Sequence, residues 1–391
     1  MNLMWGVAFN RLAVVTMVVA GVGGTACSVA ATRQQVSAVM EIGGSKIAVS
    51  PQEMKALSKL GNLVRSGQSA SQERALAEAR RVASGRDARY ALALYELEIG
   101  RRRDDDAMRA QALDVLVASQ LTRPDRLPGH LAARGQIAYQ TGDFDTAGKH
   151  WARLAELTPS DPDVFANLAQ VRLAQKDALG AIDLLQRAIV TRKGLGQAAP
   201  EGWYRQQLSI AQQASLETPG IDAARTLVTA YPTPANWRAA LVVYRELTAP
   251  EGALEIDLLR LTRHVNAFAQ AAEYQRMAQL LNQSGEPSEA KAVLDEGITR
   301  GLLDAGKSPT REIIAEVDRA MSIRSVSPTR SATPDNVGTQ IRLGMSELRA
   351  GRKAEAEATF RAAATRPGGG PYSDLAFFWL ASLTQGQRKS N

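Results

Sequence analysis

Two stretches of the chain superimpose on one another at a shift of 34 residues, and this limits the possible folds more than any other feature. Small residues fall on small ones (Gly135 on Ala169, Ala147 on Ala181), and large apolar residues on large apolar ones (Tyr139 on Leu173, Trp151 on Leu185). The same shift carries Pro200-Glu201-Gly202-Trp203 onto Pro234-Ala235-Asn236-Trp237. Self-similarity at this period marks helix-turn-helix arrays, in which each unit buries its apolar face only by stacking on a neighbour. The small positions have a steric cause: where antiparallel helices cross closely, a large side chain would push the backbones apart. The shift is regular from Pro128 to Lys193 and relaxes to 37 between Ala253 and Ala290.

Composition agrees with an all-α chain. Of 391 residues, 45% are apolar and only 5% aromatic, and helix formers such as Ala, Leu, Gln, Arg and Glu dominate. Alternating runs of β-branched residues are scarce, which argues against a large sheet. A net charge of +7 raises the question of nucleic acid. The basic residues are interleaved with acids, however, as from Arg319 to Glu357, and no aromatic-studded basic stripe exists. No nucleic-acid partner is expected.

The N-terminus reads as an export signal. Arg11 precedes the uncharged run Leu12 to Val22, followed by Gly23, Gly24, Thr25 and Ala26. Small-x-small cleavage fits after Ala30 or Ala31, which gives a signal over residues 1–30. The one cysteine, Cys27, lies in this zone. Cleavage after Ala30 discards it, whereas Thr25-Ala26-Cys27 also agrees with the end of a bacterial lipobox, although Gly24 stands where Leu is usual. An uncleaved anchor is the third possibility. The expected location is the periplasm, or the envelope membrane if Cys27 is lipidated.

Beyond the signal, residues 31–50 are expected to form a loose arm, although Val39 to Val49 alternates around Gly43-Gly44 and is open to a small hairpin. Ser50-Pro51 is a helix start, with Ser50 placed to cap. Degenerate helical repeats are expected over 51–127 and a main array over 128–323. The Ser/Pro-rich stretch 324–337 reads as a linker, and 338–391 as a C-terminal repeat with a capping helix that is apolar enough to meet a partner.

Gly135, Gly142-Asp143-Phe144, Ala147, Trp151 and Pro159 together resemble the tetratricopeptide-repeat signature. Ala169, Ala181 and Ala188 continue it, as do Trp237, Tyr244 and Ala253, then Tyr274, Gly285 and Ala290, then Leu343-Gly344, Gly351, Ala356, Phe360 and Ala363. The resemblance, from about Ala88 onward, implies an all-α tetratricopeptide-repeat-like helical solenoid of stacked antiparallel helix pairs. The unit starting at Pro200 departs from it: Pro219-Gly220 stands where the crossing alanine belongs.

No catalytic group emerges. Gly301 to Ser308 satisfies the phosphate-loop pattern G-x-x-x-x-G-K-S, but that loop needs a preceding strand, and here a repeat helix precedes it. Nucleotide binding through Gly301–Ser308 is therefore a distant alternative. His130, His150 and His264 lack metal-ligand spacing, and Asp104-Asp105-Asp106 reads as a solvated turn beside Arg101 to Arg103. Neither metal nor cofactor is expected, and the chain is read as non-enzymatic.

In a repeat of this kind the first helices line a concave surface. The register places Gln136, Tyr139, Gln140, Gln170, Tyr204, Gln212, Arg238, Arg245, Gln279 and Gln283 there. Amides pair with an extended peptide backbone, and Tyr and Arg anchor interfaces. The chain is similar to exported bacterial repeat proteins, which implies a protein- or peptide-binding scaffold of the cell envelope. The alternative is an activator or substrate-presenting subunit of an envelope enzyme of wall or polysaccharide synthesis.

Overall fold

The computed structural model describes residues 37–67, 69–323 and 336–388. The expected signal, Cys27 and residues 324–335 lie outside the described residues. The chain divides into two compact units, one ending at Asp177 and one beginning at Ala178. That division falls inside the stretch 128–323 expected to be a single array, and residues 338–388 belong to the second unit.

In the first unit the expected arm is instead a hairpin, β1 (Ala38–Ile42) paired antiparallel with β2 (Ser45–Val49). Gly43 and Gly44 both take positive φ, 60° and 79°, as a two-residue turn of matching twist requires. Alternation then gathers Met40, Ile42, Ile47 and Val49 on one buried face. That face shares a core with α1 (Pro51–Ser66), α2 (Ser69–Val82) and α3 (Arg86–Arg103). Burial of four side chains is what holds the segment down, and local sequence does not announce it.

Ser50 caps α1 in a reciprocal box with Glu53, and the other oxygen of Glu53 accepts the N–H groups of Ser84 and Gly85 at 3.1 and 3.3 Å. One buried carboxylate thus ties the start of α1 to the turn before α3. Burial pushes its pKa up, but the N–H groups of Ser50, Gly85 and Ser84 prevail and hold it below the usual range.

The unit continues through α4 (Asp106–Ala118), α5 (Leu127–Gln140), α6 (Phe144–Leu157) and α7 (Pro162–Ala174). The aspartate run is indeed a turn: Asp104 ends α3 in the left-handed region, Asp105 caps α4 and Asp106 pairs with Arg109. Gly135 lies against the indole of Trp151, and Ala147 has no exposed surface.

The second unit holds α8 (Ala178–Gly194), α9 (Glu201–Gln213), α10 (Glu217–Ala230), α11 (Pro234–Thr248), α12 (Gly252–His264), α13 (Ala271–Ser284), α14 (Pro287–Thr299) and α15 (Thr310–Ile323). It closes with α16 (Val337–Arg349), α17 (Lys353–Ala364) and α18 (Gly370–Arg388). Asn336 caps α16, so the expected linker over 324–337 gives up its last two residues to a helix start. Pairs α9–α10, α13–α14 and α16–α17 pack as direct neighbours. Ala290 and Ala356 are fully buried, as crossing residues must be.

In the unit starting at Pro200, Gly220 takes the crossing alanine's place: a Cβ there would lie 2.3 Å from Leu247 and 3.5 Å from Ala211. Ala253, expected to be a crossing residue, is exposed. Its helix, α12, does not close onto α11 as α6, α10, α14 and α17 close onto their partners. Instead α18 packs between them, with Phe378 against Trp237 and Tyr244 of α11 and Trp379 over His264 of α12.

Candidate partner-binding surface

The ten residues assigned to the groove separate into three groups. Gln136, Gln140, Arg245 and Gln283 are exposed, and Gln170 and Gln279 are half-buried. Among the described residues none of these six side chains has a hydrogen-bond or ionic partner, so each is free to meet a ligand. All lie on first helices: α5 and α7 in the first unit, α11 and α13 in the second.

The second group is already committed. Gln212 donates to Glu246, and Arg238 reaches the carbonyl of Ala267 at 2.9 Å and the Glu273 carboxylate at 2.8 and 2.9 Å. Glu273 also accepts the N–H groups of Ala269 and Gln270, closing a structural knot at the start of α13. Tyr139 is half-buried, with its ring 5.5 Å from Phe144 and 5.8 Å from Trp151.

Tyr204 was misplaced. It is 1% exposed, packs edge-on against Tyr231 at 5.6 Å, and belongs to the core. The cause is register: the buried counterpart of Trp237 is Tyr204, not the half-buried Trp203, so the repeat here measures one residue less than the shift implied. One residue on a helix turns a side chain by about 100°.

The phosphate-loop candidate follows the helix α14, not a strand. Asp304 of the same loop accepts the N–H of Gly306 at 2.9 Å and meets the Lys307 ammonium at 3.2 Å. The groups a phosphate would need are therefore paired with a carboxylate of the chain itself.

Charge reasoning from sequence missed a buried network. Asp257, with no exposed surface, bonds Arg260 at 3.0 Å and Arg342 at 3.1 Å, and Arg260 reaches Glu286 and Glu289 at 2.6 Å each. It joins α12 to the turn before α14, to α14 and to α16. The signal for it was a charged pair, Asp257 and Arg260, inside an otherwise apolar helical run.

Burial holds all three imidazoles below the ordinary histidine range, with Arg126 adding to the effect at His130 and Arg134 at His150. A base whose folded-state pKa is lowered loses stability as pH falls below its unfolded value of about 6.5, because the unfolded chain takes the proton first. The urea midpoint is expected to drop between about pH 7 and about pH 5.5. Asp374, pushed up by burial against the pull of Arg225, works in the opposite direction. Comparing wild type with His264→Gln isolates the share of His264, and an unchanged pH slope would refute it.

No protein-family model matches the chain. A stretch of 78 residues is 32% identical to Tetratricopeptide repeat protein 36 of Bos taurus, covering 20% of this chain and 42% of that protein. The Homo sapiens protein matches at the same identity over 41% of its length. The chain thus spans about two-fifths of the curated relatives it matches. Among solved structures, a tetratricopeptide repeat protein from Parabacteroides merdae covers 74% of this chain and 98% of its own, at 10% identity and TM-score 0.35. The P58(IPK) TPR domain covers 87% of this chain and 99% of its own, at 12% identity and TM-score 0.28. The helix pairs and buried crossing residues are those of an all-α, tetratricopeptide-repeat-like fold.

Proposed function

We propose that the protein is a non-catalytic scaffold that holds an extended peptide or protein segment along the exposed faces of its first helices. The observation that carries this is the set of unpaired amides Gln136, Gln140 and Gln170 on α5 and α7. A primary amide both donates and accepts, so a row of them matches the alternating N–H and C=O groups of an extended backbone. Leu173, 36% exposed on α7, adds apolar contact to the same helix. Arg245, Gln279 and Gln283 offer comparable chemistry on the second unit. The scaffold works in the bacterial cell envelope, a reading that rests on the charge, apolar run and small residues from Arg11 to Ala26.

The test is site-specific photocrosslinking in cells. A photoreactive residue at Gln136 or Gln170 is expected to give the same adduct, and one at the exposed Lys149 of α6 none. Replacing Gln136, Gln140 and Gln170 together by Ala is expected to weaken capture by roughly ten-fold or more, at about 0.5–1.5 kcal/mol per lost hydrogen bond. Adducts of equal yield at Lys149 would sink the groove assignment. The mature N-terminus, read by mass spectrometry, separates cleavage from lipidation at Cys27.

A further inference from the structure

The cations around α1, α2 and α3 fall into two classes. Those on α3 or facing it are neutralised: Arg80 bonds Glu96 at 2.7 Å, Arg103 bonds Glu73 at 2.9 Å, and Arg101 and Arg102 share Glu98 at 3.0 and 2.7 Å. Lys55 of α1 and Arg74 and Arg81 of α2 are exposed and form no hydrogen bond or ion pair among the described residues. Helical spacing gathers them, with Lys55, Lys59 and Asn62 along one face of α1 and Ser71, Arg74, Glu78 and Arg81 along one face of α2. The two faces adjoin, since Lys59 bonds Glu78 across the pair at 2.9 Å.

One carboxylate stands among these four cations. The hydrogen bond from Lys59, with the charges of Lys59, Arg81 and Lys55, holds Glu78 below the usual carboxylate range. The other carboxylates of α1 and α2 are spent elsewhere, Glu53 on the turn before α3 and Glu73 on Arg103. The face therefore keeps a positive charge. An open groove of about 750 Å³ runs between the two helices, lined by Lys59, Asn62, Leu63, Ser71 and Arg74. Its walls offer hydrogen-bond donors and no carboxylate. The face also lies where the chain enters the structure: Ala38 pairs with Val49, α1 starts at Pro51, and Lys55 follows about 6 Å along the helix. The apolar run of the N-terminus ends at Val22, and the residues from there to Ala38 span at most about 55 Å. A membrane that holds this run is within reach of the face.

We propose that the α1–α2 face bearing Lys55, Lys59, Arg74 and Arg81 docks on an anionic phospholipid surface, as a second membrane contact close to the one the N-terminus provides. Headgroup phosphates accept hydrogen bonds from the groove, and the surface charge answers the cations around it. A single weak anchor binds a membrane reversibly, and a basic patch beside it makes the attachment stable. Because both contacts belong to one chain, the second forms at high effective concentration. The cellular setting rests on the envelope reading of Arg11 to Ala26, whereas vesicles test the face without it.

The experiment floats the full chain at low salt with vesicles of phosphatidylcholine alone and with vesicles containing roughly one-third phosphatidylglycerol. Leu12 to Val22 carry no charge and act equally on both, so the gain on anionic vesicles reads the face. That gain is expected to be roughly a hundred-fold in wild type, at about five-fold per free cation. It falls to a few-fold in Lys55→Gln/Arg74→Gln/Arg81→Gln, whose glutamines keep helix propensity and leave α1 and α2 folded. Removing the same charge from exposed positions of the second unit, by Arg349→Gln/Arg352→Gln/Lys353→Gln, leaves the gain intact. High salt abolishes it in wild type. Three results overturn the proposal: no gain in wild type, an equal gain in the α1–α2 variant, or a DNA duplex competing as well as vesicles at equal phosphate. A chain absent from envelope fractions that still shows the full gain would sink the envelope reading alone and uphold the docking face.

Discussion

Replacing Gly135 with leucine is expected to unfold the first unit, not merely to weaken it. A Cβ at this position would lie 2.4 Å from Nε1 and 2.5 Å from Cδ1 of the Trp151 indole, well inside any normal contact. The ring cannot step aside. It is 2% exposed, its N–H donates to the carbonyl of Ala132 at 3.3 Å, and it belongs to a core with Leu131, Ala138, Ala147 and Leu154. Adding even one methylene to a packed core costs about 1–3 kcal/mol, and leucine adds four heavy atoms. The cost reaches the scale of a whole domain's stability, about 5–15 kcal/mol. Gly135→Ala should retain the fold at a loss of about 2–3 kcal/mol. Hydrogen exchange locates the damage: α5 and α6 lose protection in the leucine variant. If α5 keeps native protection, the indole has found another place and the crossing argument fails.

That position was legible in the sequence because its cause is local and repeated. Gly135, Ala147, Ala169, Ala181, Ala290 and Ala356 are small for one steric reason, and the period displays that reason several times over. Where the period drifts, the reading failed. Trp203 and Trp237 look equivalent in sequence, yet Tyr204 is the buried one, and this single residue moved a core side chain onto the supposed groove. The hairpin failed for a different reason. Its alternation and Gly-Gly turn are visible, but nothing within Ala38–Val49 tells that Tyr90 and Leu94 stand ready beside Gly43. The site was partly legible: Gln136, Gln140 and Gln283 are exposed as expected, whereas Arg238 and Gln212 are spent on partners in neighbouring helices. Exposure follows from helix register, but pairing depends on which helix comes next to which. The insertion of α18 lay furthest out of reach, since Arg225 and Asp374 stand 149 residues apart.

Phe378→Ala is expected to produce the largest loss in the second unit. The side chain has no exposed surface and fills the space between Trp237 and Tyr244, with Leu375, Ala376 and Leu383 in the same core. Truncating a buried phenylalanine costs about 3–5 kcal/mol, made up of lost transfer energy and the cavity left behind. The cavity cannot close easily. α11 is fixed from the other side by Tyr204, Leu208 and Leu227, and α18 by the Phe360–Trp379 stack, so neither wall is free to move in. Tryptophan fluorescence reports the event directly, because Trp237 loses its neighbour and gains water. The shape of the denaturant curve carries the finer information. A helix integral to the repeat would lower one cooperative midpoint for α8–α18 together. A docked block would instead split the transition, with Trp237 exposed early while α13, α14 and α15 hold their own core around Tyr274, Met277, Leu294 and Val317. The second outcome is the expected one. A single midpoint lowered by the full cost, with Trp237 and the α13–α15 core unfolding together, would show that the core around α18 and the core of α13–α15 form one cooperative unit.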